Sequence, residues 1–176
     1  MRKILALAVP AVLVASPALA QTSGVNGTVT IDGTVAGRCM FTIPNKTISL
    51  GEISLASDGK LDVSKVNGRN ETLTGWCNNT SASMAVTATE LTNTATAPTG
   101  FDNRVNYTAT AVTGAISAAD SSVTAGAGSP STVGLFTGDI VVTLSNASSP
   151  TNGLMVAGTY NGNVVVTLTP TVVVGG

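Results

Sequence analysis

The chain alternates apolar and polar positions over several short stretches, which is the pattern of half-buried β-strands. Between Gly24 and Cys39 one face carries six apolar or glycine positions, namely Val25, Gly27, Val29, Ile31, Gly33 and Val35. The other face carries Asn, Thr and Asp. Glycine in a strand interior weakens the strand or marks a close backbone approach. A strand that served only its own fold would gain little from these two glycines.

The same alternation recurs further along the chain. The apolar faces of the predicted strands are Ala82, Met84, Val86 and Ala88; Val105, Tyr107, Ala109 and Ala111; Ile140, Val142 and Leu144; and Tyr160, Gly162, Val164, Val166 and Leu168. Turn-forming residues separate these short segments, and no helical periodicity of useful length appears. The pattern therefore predicts an all-β sandwich.

Two further features of the sequence are interpreted on grounds other than the alternation of apolar and polar residues. The small-residue stretch from Ser117 to Thr132 predicts a long surface loop. Trp76 directly precedes Cys77 and is predicted to pack in the core against a disulfide, with a sugar-stacking platform as the alternative.

The first twenty residues predict an exported protein. Residues 1–20 carry Arg2 and Lys3, an apolar middle and an Ala-Leu-Ala end, which is typical of a secretory signal peptide. No later apolar run is long enough to cross a bilayer, so we expect no membrane span in the mature chain. Two cysteines in an exported chain, Cys39 and Cys77, predict one disulfide.

The composition argues against nucleic-acid binding and against the common types of catalytic site. Charged residues are 10% of the chain, and its net charge is −1, so the basic surface of a nucleic-acid-binding protein is absent. There is no histidine, which removes Ser-His-Asp and Cys-His arrangements. No phosphate-binding glycine motif is present and the carboxylates are scattered. We therefore expect no catalytic residue, no metal and no cofactor, although a Ser-Lys or carboxylate site assembled by the fold stays open.

The order of these features resembles the pilin subunits of chaperone-usher fimbriae, in particular the type 1 fimbrial major subunit. The resemblance rests on a signal peptide, G-T-V-T-I-D-G-T-V, a cysteine a few residues later, a second cysteine near forty residues on, and A-G-T-Y-N-G-N-V-V-V-T-L near the end. It spans nearly the whole predicted mature chain. Its most specific part is the N-terminal stretch combined with Cys39 and Cys77.

The resemblance implies an incomplete immunoglobulin-like β-sandwich completed by donor-strand exchange. Residues 21–36 would be the donor extension and residues 37–176 the pilin domain. In the donor, Val25, Val29, Ile31 and Val35 would fill the next subunit's groove, and Gly27 and Gly33 would lie where no side chain fits. One wall of the acceptor groove would be formed by Tyr160, Gly162, Val164, Val166 and Leu168. Cys39 and Cys77 would staple the first strand to the second.

The implied partners are identical or related pilin subunits, a periplasmic chaperone and an outer-membrane usher. The protein would be exported through the periplasm to a surface fimbria that supports cell adhesion. The alternative is a monomeric secreted or surface sandwich, carbohydrate-binding or spore-coat-like, that completes itself. In that module the N-terminal strand would pair within its own domain. A separate possibility is that residues 171–174 fold back as the missing strand, as expected of a terminator subunit or a free-standing domain.

Overall fold

A computed structural model describes residues 24–171 of the 176-residue chain. The predicted signal peptide and residues 172–174 of the predicted fold-back segment lie outside the described residues. The chain divides after Thr34. In the first part, residues 24–34 carry no strand and are exposed. All of the described strands lie in the second part.

The described residues contain eleven strands and one short 3-10 helix, Val63–Lys65. The strands are β1 (Cys39–Ile43), β2 (Asn70–Cys77), β3 (Ser83–Ala88), β4 (Leu91–Thr92), β5 (Phe101–Asp102), β6 (Arg104–Thr113), β7 (Ile116–Ser121), β8 (Ser131–Thr132), β9 (Phe136–Ser148), β10 (Leu154–Met155) and β11 (Val164–Thr169). The longest of them, β6 and β9, carry the alternating Val, Ala, Ile and Leu positions that favour strands.

Two antiparallel sheets enclose the core, which confirms the predicted all-β sandwich. The larger sheet has the order β1-β2-β9-β6-β4, and β7 pairs with the remaining length of the β6 edge. The smaller sheet has the order β11-β3-β8. Strands β5 and β10 form a short parallel pair. Among the described strands, β1 and β11 each lie at the end of a sheet, so each has one edge that pairs with no other described strand.

The core lies between the inner faces of β3, β6 and β9. Met84, Val86, Val105 and Ile140 are completely buried there, together with smaller residues of β6. The predicted inward positions of β3, β6 and β9 are all buried, which confirms those three strands and their faces.

The predicted surface loop over Ser117–Thr132 is wrong for part of its length. Residues 117–121 belong to β7, which pairs with β6, and Ser131 and Thr132 form β8. Ala118 is buried opposite Ala111 of β6. Asp120 is also buried, and its Oδ2 accepts a hydrogen bond from the backbone N–H of Ala88 at 2.8 Å. Small side chains allow this close approach of β7.

The predicted position of Trp76 in the core is also wrong. Gly75 and Cys77 are buried, and Trp76 between them projects from the opposite face of β2. It lies beside exposed Met40 of β1 and exposed Thr137 of β9. Successive side chains of a strand point to opposite faces, and because Gly75 and Cys77 point inward, Trp76 points outward.

Candidate functional site

A groove of about 840 Å³ opens between two chain segments at the end of the sandwich core. The first wall is residues 46–54, which follow β1. The second wall is residues 155–164, which lead into β11. Core side chains form the floor between them, among them Leu73 of β2, Tyr107 of β6 and Val142 of β9. The groove is therefore an uncovered section of the hydrophobic core.

The first wall has the side-chain pattern of a strand without a strand partner. Ile48 and Leu50 are half-buried against the core, whereas Thr47 and Ser49 are exposed. Within the described residues, no backbone hydrogen bond pairs residues 45–51 with another segment. Peptide groups in such a segment can accept an added strand.

The second wall is paired along one edge only. Val164 to Thr169 of β11 pair with β3, and Asn161 exchanges backbone hydrogen bonds with Thr92. No described strand pairs with the opposite edge of β11. This free edge continues the second wall of the groove.

The predicted wall residues divide into two groups. Tyr160, Gly162 and Val164 line the groove directly. Val166 and Leu168 follow on the same face of β11 and pack against the core. The predicted alternation holds throughout, since the intervening residues are exposed. Their role as an acceptor wall stays a prediction.

The two tyrosines of the groove are fixed by hydrogen bonds. The Tyr107 hydroxyl donates to Thr89 O at 2.8 Å, and the Tyr160 hydroxyl donates to Val156 O at 2.8 Å. Burial, followed by the nearby charge of Asp120, raises the pKa of Tyr107 to about 12. Burial also raises the pKa of Tyr160. Both phenols are therefore neutral at ordinary pH and act as parts of the floor and wall.

Three charged side chains border the groove. Lys46 and Glu52 lie on the first wall and are exposed, and Glu71 lies on β2. The Glu52 carboxylate accepts hydrogen bonds from the hydroxyl of Ser54 at 2.7 Å and from its N–H at 3.0 Å. These bonds, led by the hydroxyl, lower the pKa of Glu52. Glu71 lies on the inner face of its strand, opposite buried Val142.

The predicted donor residues are exposed apolar side chains. Val25, Val29, Ile31 and Val35 are each at least 85% exposed. A Cβ atom built on Gly27 or on Gly33 meets no atom within 4 Å. Among residues 24–171, therefore, no contact requires a glycine at either position. Their donor role stays a prediction.

The chain after the predicted donor residues is held beside the disulfide. Cys39 and Cys77 form a disulfide between paired positions of β1 and β2, which confirms the predicted bridge. The Asn78 side chain holds the adjacent backbone, since its Nδ2 donates to Ala36 O at 3.1 Å and its Oδ1 accepts from Arg38 N. Residues 36–38 thus leave β1 in a defined direction.

Beyond β11 the chain continues along β3. The Thr171 hydroxyl donates to Ser81 O at 2.6 Å, and Thr171 O accepts from Asn79 Nδ2 at 2.6 Å. These contacts extend the pairing of β11 with β3 past Thr169. The proposed fold-back of residues 171–174 is not tested beyond this point, because residues 172–174 lie outside the described chain.

The first wall of the groove, residues 46–54, was not predicted from the sequence. The letters T-I-S-L do alternate, and they could have suggested a strand face. Their position opposite residues 155–164 depends on the path of the whole chain after β1, which no local pattern contains.

Within residues 24–171, no group of three or more His, Cys, Asp and Glu side chains is placed to hold a metal ion. No helix of that described range is long and apolar enough to cross a membrane. Comparison with known proteins found no match for this chain among protein-family models, curated proteins or solved structures.

Proposed function

We propose that the chain is a structural subunit of a bacterial surface fimbria, which polymerises head to tail by donor-strand exchange and supports cell adhesion. The observation that carries this proposal is the groove. Residues 46–51 of its first wall, and one edge of β11, pair with no other segment among the described residues. An extended peptide that enters such a site gains backbone hydrogen bonds on both sides and buries alternate side chains, which is the β-augmentation mode of binding.

The same chain contains a segment with the properties that this occupant needs. From Val25 to Val35 the apolar positions alternate with polar ones, and every residue is exposed. Eleven residues in strand conformation extend about 36 Å, enough for the length of a small sandwich. Apolar side chains that are exposed in the subunit would be buried in the groove of another subunit.

A donor and an acceptor on one chain imply an open assembly. Contact between unlike surfaces of identical subunits produces a fibre when the rotation does not close a ring. We propose accordingly that the partners are identical or related subunits, with a periplasmic chaperone and an outer-membrane usher during export. The functional part of the molecule is in this proposal a pair of interaction surfaces rather than a catalytic centre.

The test is electrophoresis in denaturing detergent of the purified full chain, with and without boiling. Strand exchange predicts a ladder of multimers in the unboiled sample and a single band after boiling, because dissociation requires removal of a whole strand from a core. A single band in both samples would favour the self-completed monomer and refute the proposal.

A matched pair of variants locates the contact. Gly27→Leu puts a large side chain on the inner face of the donor, where the proposal leaves no room. Thr28→Leu puts the same side chain on the outer face. We expect the ladder to be lost in Gly27→Leu and kept in Thr28→Leu. Because a Cβ at position 27 meets no atom within 4 Å and Thr28 is exposed, neither change should unfold the subunit, and circular dichroism checks this.

A further inference from the structure

The predicted donor contains an asparagine that is followed directly by a glycine, Asn26-Gly27. The chain has three more such pairs, namely Asn67-Gly68, Asn152-Gly153 and Asn161-Gly162. In an Asn-Gly pair the backbone nitrogen of the glycine can attack the side-chain amide carbon of the asparagine, because glycine has no side chain to obstruct the approach. The attack requires that this nitrogen is free of a hydrogen bond and that the backbone around the asparagine can turn. The four pairs can therefore be compared by what holds them.

In two of the pairs the attacking nitrogen is occupied by a hydrogen bond. Gly68 N donates to Leu144 O at 2.8 Å, beside the start of β2. Gly153 N donates to the buried carboxylate of Asp102, also at 2.8 Å. Attack by either nitrogen would first require that its hydrogen bond be broken and the surrounding chain be opened.

The third pair is held through its asparagine, whereas the pair in the donor is not held. Asn161 N donates to Thr92 O at 3.0 Å and Thr92 N donates to Asn161 O at 2.8 Å, which fixes the peptide group that carries the next nitrogen. Asn26 and Gly27 are both exposed and belong to no strand. Within residues 24–171 no hydrogen bond engages the Asn26 side chain or the Gly27 N–H.

We infer that Asn26 is a site of spontaneous modification in the unassembled chain. The Gly27 nitrogen forms a bond to the side-chain carbonyl carbon of Asn26, and the bond from that carbon to the amide nitrogen breaks. The amide nitrogen leaves as ammonia with the proton of the Gly27 N–H. Water then opens the cyclic imide at one or the other carbonyl and gives isoaspartate or aspartate. The reaction consumes only water and needs no oxidant, cofactor or enzyme.

The consequence for assembly rests on the proposed function. In isoaspartate the main chain runs through the former side chain, so one extra carbon lies between residues 26 and 27. The alternation that sets the register of the donor is broken there. A donor inserted between two walls would use its N–H groups in hydrogen bonds, which would protect Gly27 N as Gly68 N and Gly153 N are protected. Modification would therefore remove unassembled chains as donors and spare assembled ones.

The first part of the test is independent of assembly. The full chain is refolded at high dilution, incubated in mildly alkaline buffer, digested with pepsin in acid and analysed by mass spectrometry. Conversion at Asn26 should be about tenfold or more faster than at Asn67, Asn152 or Asn161, because each of these must first open its local contacts. No conversion at Asn26, or equal conversion at all four asparagines, would overturn the inference.

The second part follows the ladder in an unboiled gel. Dilute samples are aged, concentrated and compared with fresh ones, and the ladder should weaken as Asn26 is converted. Asn26→Gln is the matched control, since it keeps an amide on the outer face of the donor but closes the ring far more slowly, and its ladder should survive ageing. Equal loss in aged Asn26→Gln would assign the effect to another group, such as Asp32 before Gly33, and would overturn the role of Asn26.

The preformed polymer completes the comparison. Asn26 should be converted more slowly there than in the dilute chain, and an equal rate would overturn the restriction to unassembled chains. Absence of a ladder even from the fresh chain would instead refute the proposed function, whereas the conversion measured at Asn26 in the dilute chain would stand.

Discussion

Gly162 lies where two backbone segments approach too closely for a side chain. A Cβ atom at this position would be 2.8 Å from Glu90 O and 2.9 Å from Thr89 O. This glycine is therefore required by the contact between the second wall and residues 89–91 of the same chain. Gly27 and Gly33 differ, because no atom lies near their missing side chains. The proposed function gives them a steric role in the groove of another subunit.

At the same scale, Asp102 is a buried carboxylate that organises a loop. Its side chain is 4% exposed and accepts hydrogen bonds from Gly153 N at 2.8 Å and from the Thr151 hydroxyl at 2.9 Å. Burial alone would raise the pKa of Asp102. The bonds from Gly153, Thr151 and Ser149 outweigh it, and the net shift of the pKa is downward.

This shift predicts a loss of stability in acid. A folded-state pKa below the unfolded value means that Asp102 stabilises the fold above the unfolded pKa, and that this contribution disappears as the pH falls through the folded pKa. Urea unfolding should give a lower free energy of unfolding at about pH 2.5 than at about pH 6. In Asp102→Asn the difference should be smaller, although Glu52 and Asp62, whose pKa values are also lowered, keep part of it.

Asp139→Asn is the control for this measurement, since Asp139 is exposed. The loss of free energy of unfolding in acid should be larger in this variant than in Asp102→Asn. An equal acid loss in Asp102→Asn and in the unchanged chain would show that the loop contacts of Asp102 do not carry the effect.

At the scale of elements, the disulfide joins two strands whose ladder is short. Strand β1 has five residues and lies at the edge of the larger sheet, with β2 as its only paired strand among the described residues. The bridge links positions separated by 38 residues. Closure of a loop of this length restricts the unfolded chain and stabilises the fold by about 4 kcal/mol in the chain-entropy description.

We therefore expect the double variant Cys39→Ser, Cys77→Ser to lose about 4 kcal/mol in urea unfolding. The unchanged chain measured under reducing conditions is the control and should behave like the variant. A transition midpoint that is the same in the oxidised chain, the reduced chain and the variant would contradict the prediction.

Some elements could be predicted from the sequence because large apolar residues mark their inner face. This holds for β3 and β9, and for β11, where Val164, Val166 and Leu168 alternate with exposed residues. Strand β7 could not be predicted in this way. Its buried positions are Ala118 and Asp120, and they are buried only because β6 and Ala88 lie against them. Burial of such small or polar side chains depends on tertiary neighbours.

The groove, too, could be predicted only in part from the sequence. Tyr160, Gly162 and Val164 were predictable as one face of a strand, and all three line it. The opposite wall, residues 46–54, was not assigned, because two segments become facing walls only through the fold. The same limit applies to Glu71. The sequence around it does not indicate that it lies on the inner face of β2, whereas its pairing with buried Val142 shows that it does.

At the scale of the whole molecule, the groove and the exposed N-terminal segment are two unsatisfied surfaces of one chain. An open strand edge beside an uncovered core promotes association unless another strand covers it. In the proposed polymer, each subunit covers the groove of one neighbour and is covered by another. Such a contact joins unlike surfaces, so each can be blocked without the other.

This independence gives the last prediction. The double variant Gly27→Leu, Gly33→Leu blocks the donor, and Leu50→Lys puts a charged chain in the first wall and blocks the acceptor. Neither variant alone should form a ladder in an unboiled gel. Mixed after refolding, they should form a band of two subunits and nothing larger, because the donor of the Leu50→Lys chain can enter the open groove of the other and the series then stops. Ser49→Lys, at an exposed wall position, is the control and should still polymerise. A ladder from either blocked variant alone, or no pair after mixing, would contradict head-to-tail strand exchange.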